Sequence, residues 1–181
     1  MRFFYKTKRL LLEILGEEAA PYVLAFYQKN KDIFERWDPM HCANFYTLEY
    51  QAHNLATEMK LFLHQKHFRY YLFLSAYPGQ VVGTISFTHI SGSPEFSCRL
   101  GYRLSKEVQG YGYATEALSY LIPIFIREQK VLRIEANIMP QNTASIHLIE
   151  TLGFEYEGVA RKIFEINGKR EDHLRYAFVV S

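Results

Sequence analysis

Cysteine, long apolar runs and an excess of charge of either sign are all scarce in this sequence. Its 181 residues include two cysteines, Cys42 and Cys98, and no C-x-x-C pair, which argues against a disulfide scaffold and fits a reduced cytosolic protein. The longest apolar stretch, residues 117–126, is far shorter than the roughly 20 residues that span a membrane. Because the first thirty residues carry no secretory pattern, we expect a cytoplasmic protein with no membrane partner.

The balance of charge argues against another class of partner. The 21 basic and 19 acidic residues give a formal net charge of +2, which provides no bulk attraction to nucleic acid. No repeat, low-complexity tract or flexible linker divides the chain, and 49% of its residues are hydrophobic, enough for one core. We expect a single domain over residues 1–181 and no nucleic-acid partner.

The hydrophobic pattern predicts an α+β fold, because helical spacing alternates with aromatic and strand-like runs. Strands are predicted at residues 9–14, 70–77, 81–90, 96–104, 132–138, 155–166 and 169–180, and helices at residues 17–28, 47–66, 113–129 and 142–153. We expect a turn at residues 78–80, a hairpin at Asn167-Gly168 and a helix cap at Asn142. Pro123 is expected to kink its helix or end it early.

The most informative segment is residues 108–116, Val-Gln-Gly-Tyr-Gly-Tyr-Ala-Thr-Glu, in which Gly110 and Gly112 run directly into a predicted helix. Glycines leave little side chain in the way, so the backbone N–H groups of the loop and of the helix start can approach an anion closely. The pattern predicts a phosphate cradle.

Several interpretations of this loop compete. A Walker-type nucleotide site needs Lys and Ser/Thr after the last glycine, but Tyr113-Ala114 stand there. A dinucleotide fingerprint needs the pattern G-x-G-x-x-G directly after a strand. Here Thr115 replaces the third glycine, and residues 105–109 separate the loop from the strand. A glycine turn that merely starts a helix stays open if the loop is taken alone.

Further motifs give the loop a context. Gln109-x-x-Gly-x-Ala114 follows Leu100-Gly-Tyr102, and Met139-Pro-Gln-Asn-Thr-Ala-Ser145 is followed by Leu152-Gly-Phe154. In this order and spacing they resemble the two signatures of the GNAT superfamily of N-acetyltransferases. The opening Thr7-Lys-Arg-Leu-Leu-Leu12 is similar to the start of one branch, the ribosomal-protein alanine N-acetyltransferases, and so is the ending at residues 157–173.

The resemblance implies a fold and a cosubstrate. It implies a mixed, mostly antiparallel sheet, flanked by helices and splayed between the strand that ends near Leu104 and the strand that begins at Leu132, with acetyl-CoA in the gap. The pyrophosphate would lie at the positive end of the helix dipole, without a metal. The residues that would contact acetyl-CoA are Leu104, Gln109, Gly110, Tyr111, Gly112, Tyr113, Ala114, Thr115 and Asn142.

The expected general base is missing. Many relatives have a glutamate two residues before the Gly-Tyr of the central strand, where this chain has Arg99. An α-amino group has a pKa near 8 and lysine one near 10.4, so roughly ten per cent of the first but under a thousandth of the second is neutral at pH 7. A site without that base therefore favours an N-terminal amine. A water ordered by Glu135 or Asn137 is one route for the proton, although Glu135 is equally interpretable as an ion-paired surface residue.

The resemblance makes Ser145 the candidate that protonates the departing thiolate, while its position near the start of a helix is also ordinary for serine. Trp37, between the first two predicted helices, is the candidate acceptor-pocket aromatic, and Arg99 is a second substrate candidate. Arg103 shares a strand face with Arg99 and is expected to be solvated. Tyr102, on the opposite face, is expected to be core.

The sequence therefore predicts an acetyl-CoA-dependent N-acetyltransferase that acts on a protein N-terminal α-amine by direct attack in a ternary complex. Two alternatives stay open: acetylation of a small amine, such as an amino acid, polyamine or antibiotic, and a non-catalytic acyl-CoA-binding module. We expect no metal, since His64 and His67 lack a third ligand, and a monomer or homodimer.

Overall fold

The computed structural model describes residues 1–180 and contains one sheet flanked by helices. Across this part of the chain, the sheet has eight strands in the order β1-β2-β3-β4-β5-β6-β8-β7. The strands are β1 Phe4–Lys6, β2 Leu10–Glu13, β3 Phe68–Leu74, β4 Tyr77–Ser91, β5 Ser97–Leu104, β6 Arg133–Ile138, β7 Glu155–Ile166 and β8 Lys169–Val179. The α-helices are α1 Ala20–Lys29, α2 Lys31–Phe34, α3 Leu48–Leu63, α4 Tyr113–Gln129 and α5 Thr143–Thr151. The predicted α+β class is confirmed.

Helices cover both faces of the sheet, as alternation along β3 shows. Tyr70 and Leu72 join the cluster that contains the buried residues of α4 and α5. Tyr71 and Phe73 join the cluster built on α1 and α3. Successive strand residues point to opposite faces, so the sheet separates two apolar layers, with α4 and α5 on one side and α1 and most of α3 on the other. Phe62, near the end of α3, joins the first layer.

The sheet is splayed at its one parallel pair within residues 1–180. Strands β5 and β6 pair only through Ser97–Arg133, Cys98–Ile134 and Arg99–Glu135. Beyond these residues, β5 stays paired with β4 as far as Leu104, and β6 stays paired with β8 as far as Ile138. The two strands thus diverge while each remains held by its outer neighbour. The predicted splay between the strand that ends at Leu104 and β6 is confirmed.

The turn predicted at residues 78–80 is wrong. The chain reverses at Ser75 and Ala76, and residues 78–80 lie inside β4. The register shifts here, because Phe73 pairs with Val81 and Leu74 with Tyr77. The extra residues form a bulge, in which the missing N–H of Pro78 breaks no ladder hydrogen bond.

An early end of the helix at Pro123 is also wrong, because α4 continues to Gln129. Pro123 lies on the exposed face, as does Ser119 four residues earlier, so the carbonyl that loses its donor can bond to water. The opposite face buries Leu121, Ile122 and Phe125, and this packing holds the helix together across the proline.

Strand β1 and the single-turn helix α2 were not predicted. By contrast, Asn167-Gly168 joins β7 to β8 with both residues at positive φ, 50° and 74°, as a two-residue hairpin turn requires. No helix within residues 1–180 has both the length and the apolar character needed to cross a membrane.

Candidate active site

The glycine loop has the backbone conformation that an anion cradle needs. Gly110 and Gly112 have φ angles of 81° and 76°, in the left-handed region that glycine adopts without strain. Gly112 is the N-cap of α4 and no side chain caps the helix. The first N–H groups of α4, from Tyr113 to Thr115, therefore point toward a ligand position at the positive end of the helix dipole.

The Gln109 side chain anchors the loop to the sheet. Its Nε2 atom donates a hydrogen bond to the Leu104 carbonyl, at 3.0 Å. Leu104 is the last residue of β5 at the open side of the splay. This bond ties the glycine loop to the end of β5.

A second anchor comes from the N-terminal motif. The Glu116 carboxylate accepts hydrogen bonds from Thr7 Oγ1 at 2.6 Å, the Arg9 backbone N–H at 2.8 Å and Arg9 Nε at 2.6 Å. The same guanidinium donates to the Tyr111 carbonyl at 2.9 Å and lies 4.4 Å from the Tyr113 ring centroid. Burial alone would raise the pKa of Glu116, but the bonds from Thr7 and Arg9 hold that pKa below its usual value. We call these three residues the Thr7–Arg9–Glu116 clamp.

Asn142 and Ser145 form the opposite wall of the splay. Asn142 is the N-cap of α5 and accepts the Ser145 backbone N–H at 3.2 Å, so the predicted cap is confirmed. The Ser145 hydroxyl is hydrogen-bonded to the Tyr102 hydroxyl, which also donates to the Ser145 carbonyl at 3.2 Å. Burial raises the pKa of Tyr102 to about 12, although the bond to Ser145 opposes the shift, so Tyr102 keeps its proton at neutral pH.

The expectation that Tyr102 is a core residue is therefore wrong in part. The side chain is half-buried, and its hydroxyl reaches the cleft. Alternation placed Tyr102 on the face opposite Arg103, but it could not show that Ser145 of α5 lies within hydrogen-bonding distance of the Tyr102 hydroxyl. A sequence signal existed, since Tyr102 directly follows the glycine of the Leu-Gly-Tyr motif.

One cleft passes through the splay and joins the two faces of the sheet. Its volume is about 170 Å³. The lining residues are Trp37, Asp38, Leu100, Gly101, Tyr102, Arg103, Ala136, Asn137, Ile138, Met139, Asn142, Ser145 and His173. Trp37, Asn142 and Ser145 were predicted site residues, and the structure brings all three to this cleft.

The α1 and α3 side of the cleft is built around an ion pair. Arg103 Nε lies 2.6 Å from Asp38 Oδ2, which ties the segment after α2 to β5 and positions Trp37 beside the cleft. Burial alone would lower the pKa of Arg103, but the Asp38 carboxylate raises it. The expectation that Arg103 is merely solvated is wrong, because a strand position beside the splay faces this segment rather than water.

Arg99 and Glu135 do not line the cleft. Glu135 accepts a hydrogen bond from Arg133 Nε at 2.8 Å and lies 3.8 Å from Arg175, so the ion-paired interpretation of Glu135 describes its surroundings. The Arg99 guanidinium lies 5.8 Å from the Phe164 ring centroid. The two residues are partners across the last paired position of β5 and β6, just before the strands separate.

His173 is a cleft residue that sequence reasoning did not single out. It lies on β8, and only 4% of its surface is exposed. Burial lowers its pKa, against the raising effect of its hydrogen bond to the Glu171 carbonyl. His173 is the last residue of the family-like ending at residues 157–173, but that motif gave it no role, because its place in the cleft depends on the pairing of β8 with β6.

The sequence that forms this site matches a known protein family. Residues 9–155 match the sequence model of a family described as an acetyltransferase (GNAT) domain. The chain belongs to the GNAT family. The match contains the glycine loop, the splay and the Asn142–Ser145 turn, and it begins at Arg9 of the clamp.

Full-length relatives agree with the family. The chain is 31% identical over 168 residues to a Bacillus subtilis (strain 168) protein named "Probable N-acetyltransferase YjcK", with 93% of this chain and 92% of the relative covered. It is 30% identical over 173 residues to the [ribosomal protein uS5]-alanine N-acetyltransferase of Escherichia coli (strain K12), with 93% and 86% covered. This GNAT chain is therefore an acetyl-CoA-dependent N-acetyltransferase, similar to the RimJ and RimL type.

Solved structures share the fold. The ribosomal-protein-S5-alanine acetyltransferase from Vibrio fischeri superposes with a TM-score of 0.93 at 25% identity, covering 98% of this chain and 97% of that one. RimL, the ribosomal L7/L12 α-N-protein acetyltransferase solved with coenzyme A, gives a TM-score of 0.85 at 21% identity, with 96% of each chain covered. The uncapped α4 start and the open β5 edge fit acetyl-CoA as the cosubstrate.

Proposed function

We propose that this enzyme acetylates the α-amino group of a protein N-terminus. The main support for the proposal is that, in the described part of the chain, the cleft has no unpaired carboxylate. Asp38 is the one carboxylate residue that lines it within residues 1–180, and Asp38 is paired with Arg103. A cleft without a free carboxylate base suits an amine with a pKa near 8 better than lysine, with a pKa near 10.4.

Similarity gives independent support. The relative from Escherichia coli is named for a ribosomal-protein alanine, and 93% of this chain aligns with it. An N-terminal residue also fits the size of the site, because a cleft of about 170 Å³ has room for a short amine-bearing group rather than a folded surface. A ribosomal protein with a small N-terminal residue is accordingly the acceptor that we propose.

The residues of this chain have defined roles in that reaction. Bound acetyl-CoA supplies a thioester carbonyl that an amine can attack. The N–H groups of residues 110–115 would hold the pyrophosphate, and the unpaired β5 edge from Leu100 to Leu104 would bind the pantetheine amides as an added strand does. Asn142 would orient the same arm while it caps α5.

In the proposed mechanism, Ser145 gives a proton to the departing thiolate. Its hydroxyl is hydrogen-bonded to that of Tyr102, which retains its own proton at neutral pH. A proton that leaves Ser145 can thus be replaced from Tyr102 in the same network. Trp37 and Asp38 would contact the acceptor on the α1 and α3 side of the cleft.

A panel of acceptors tests this proposal. The enzyme is incubated with acetyl-CoA and one acceptor at a time, and the mass of each product is measured by mass spectrometry. The acceptors are peptides that differ only in the N-terminal residue, N-terminally blocked forms with one internal lysine, and small amines such as amino acids and polyamines. We expect acetylation of peptides with a free Ala or Ser N-terminus. Acetylation of blocked lysine peptides alone, or of small amines alone, would contradict the proposal.

A further inference from the structure

We propose that His173 is a catalytic residue that accepts the proton lost by the attacking amine nitrogen. This inference rests on the proposed function and deepens it by assigning the base that the cleft otherwise lacks. Position 99, where relatives have a glutamate, is Arg99, and Glu135 is occupied by Arg133 and Arg175 outside the cleft.

The hydrogen bond of His173 selects the tautomer that a base needs. Its Nδ1 atom lies 3.2 Å from the Glu171 carbonyl oxygen. A carbonyl only accepts hydrogen bonds, so Nδ1 carries the proton and Nε2 has the free lone pair. Among residues 1–180, no group donates a hydrogen bond to Nε2, and the Phe164 ring packs edge-on at 4.9 Å between centroids. The ring is thus held in place with its basic nitrogen unclaimed by the protein.

His173 lies on the acceptor side of the cleft. Arg175, two residues along β8, is in register with Asn137 and lies on the same face as His173. That face is the one on which Arg103 meets Asp38. Ser145 and Tyr102 belong to the opposite, α5 side. An amine bound beside Trp37 and Asp38 would therefore share the His173 side of the cleft, while Ser145 lies on the other side.

Burial favours the neutral form of His173. Burial lowers the pKa of His173 below its ordinary value of 6.5, while Glu171 and Asp172 on its own strand act in the opposite direction. On the facing elements, Asp38 and Arg103 neutralise each other, and Tyr102 is uncharged. With its pKa lowered, His173 is neutral at pH 7 and can accept a proton.

The proposed step balances in atoms and charge. The amine nitrogen forms a bond to the thioester carbonyl carbon, and the carbon–sulfur bond breaks. His173 Nε2 takes the proton that the nitrogen loses, and the thiolate takes one from the Ser145 hydroxyl. Water then removes the proton from His173, and the Ser145–Tyr102 pair regains one from solvent. The products are the N-acetylated amine and coenzyme A.

A set of variants tests the assignment. In His173→Asn the shorter amide retains a donor for the Glu171 carbonyl but has no group at Nε2, so we expect kcat to fall by at least about 100-fold with acetyl-CoA binding unchanged. In His173→Ala, imidazole added to the buffer should restore part of the activity. The control is His67→Asn, because His67 lies just before β3 and outside the cleft, and it should keep wild-type kcat.

The pH profile and nitrogen NMR add readouts that a purely structural role would not change. In the wild type, kcat should decline on the acid side, below pH 6.5, as His173 is protonated, and His173→Asn should lose that limb. The 15N spectrum of His173 should show the Nδ1–H tautomer. The assignment would be overturned if kcat of His173→Asn were within twofold of wild type or if that variant kept the decline in kcat at acid pH. It would also be overturned if imidazole did not rescue His173→Ala or if the NMR spectrum showed the proton on Nε2. If only small amines are acetylated, the N-terminal proposal fails, and the same variants are measured with that amine.

Discussion

At the scale of single residues, the Ser145–Tyr102 pair is the clearest departure from what the chain pattern indicated. Serine at the third position of a capped helix is ordinary, and a tyrosine that shares a strand face with Leu100 and Leu104 is ordinarily core. The hydrogen bond between their hydroxyls joins two residues 43 positions apart at the point where the sheet opens. Local patterns cannot indicate such a pair, because it depends on how α5 packs against β5.

Ser145→Ala should lower kcat by roughly 10- to 100-fold, because the thiolate loses its nearest proton donor, while acetyl-CoA binding should change little. The Asn142 cap persists in the variant, since it uses the Ser145 backbone N–H. Steady-state kinetics and acetyl-CoA titration are the measurements. Ser119→Ala, at an exposed position of α4, is the matched control, and a kcat of Ser145→Ala equal to that of Ser119→Ala would remove Ser145 from the mechanism.

Tyr102→Phe should also lower kcat, by less than Ser145→Ala, because the ring stays packed and only the relay hydroxyl is lost. Residues in one hydrogen-bond network give non-additive effects. The double variant should therefore be about as slow as Ser145→Ala alone. If the two hydroxyls acted independently, the fold-loss in kcat of the double variant would equal the product of the two single fold-losses. This result would contradict the shared network.

At the scale of elements, the segment between β1 and β2 is bonded to the first turn of α4. The Thr7–Arg9–Glu116 clamp holds the start of α4, and Arg9 reaches the Tyr111 carbonyl inside the loop. Sequence comparison indicated that residues 7–12 belong to a family branch, but nothing in that motif indicated its partner Glu116. In the structure, the motif binds Glu116 of α4 and the Tyr111 carbonyl of the glycine loop.

Glu116→Gln should weaken acetyl-CoA binding several-fold and lower the free energy of unfolding by about 2 kcal/mol at pH 7, since it removes charged hydrogen bonds. The folded-state pKa of Glu116 is lowered, so its contribution is present above the ordinary carboxyl pKa of 4.5 and is lost as the pH falls through the lower, folded value. Thermal unfolding from pH 7 to pH 2 should show the wild-type advantage shrinking. Glu95→Gln, at an exposed turn position, is the control, and an advantage that stays constant with pH would contradict the clamp.

Gly112→Ala should cost about 1–2 kcal/mol of stability, because a residue with a Cβ is strained at a φ of 76°. It should also weaken acetyl-CoA binding, since relief of that backbone strain would turn the N–H groups at the start of α4 away from the ligand position, whereas the added methyl itself makes only an ordinary contact with Arg9 Nη2 at 3.6 Å. The control is Gly79→Ala, where a Cβ has nothing within 4 Å. Equal acetyl-CoA affinities in the two variants would contradict the role of Gly112 in the cradle.

At the scale of the whole molecule, the order of elements and the position of the splay were predictable from the sequence, because strong turn signals and two family motifs lie on either side of the gap. The boundaries of β5, α4 and β6 were predicted to within one residue. The turn at Ser75 was missed, since the Pro78-Gly79 signal that marks most turns here marks a bulge. Trp37, Asp38, Arg103 and His173 come together only through packing across the sheet, so no local pattern could assemble them.

The acceptor side of the site is made by distant segments that converge on β5. The segment after α2 contributes Trp37 and Asp38, and β8 contributes His173. The enzyme's state as a monomer or homodimer stays a prediction, which sedimentation equilibrium would test.

The central claim is that this cleft moves an acetyl group from acetyl-CoA to an N-terminal α-amine. The most direct test uses one peptide that carries a free N-terminal alanine and an internal lysine, incubated with enzyme and acetyl-CoA and sequenced by tandem mass spectrometry over time. The account predicts one added acetyl group, located on the α-nitrogen. Acetylation of the lysine before the α-nitrogen, or no acetylated peptide while a small amine is acetylated under the same conditions, would contradict it.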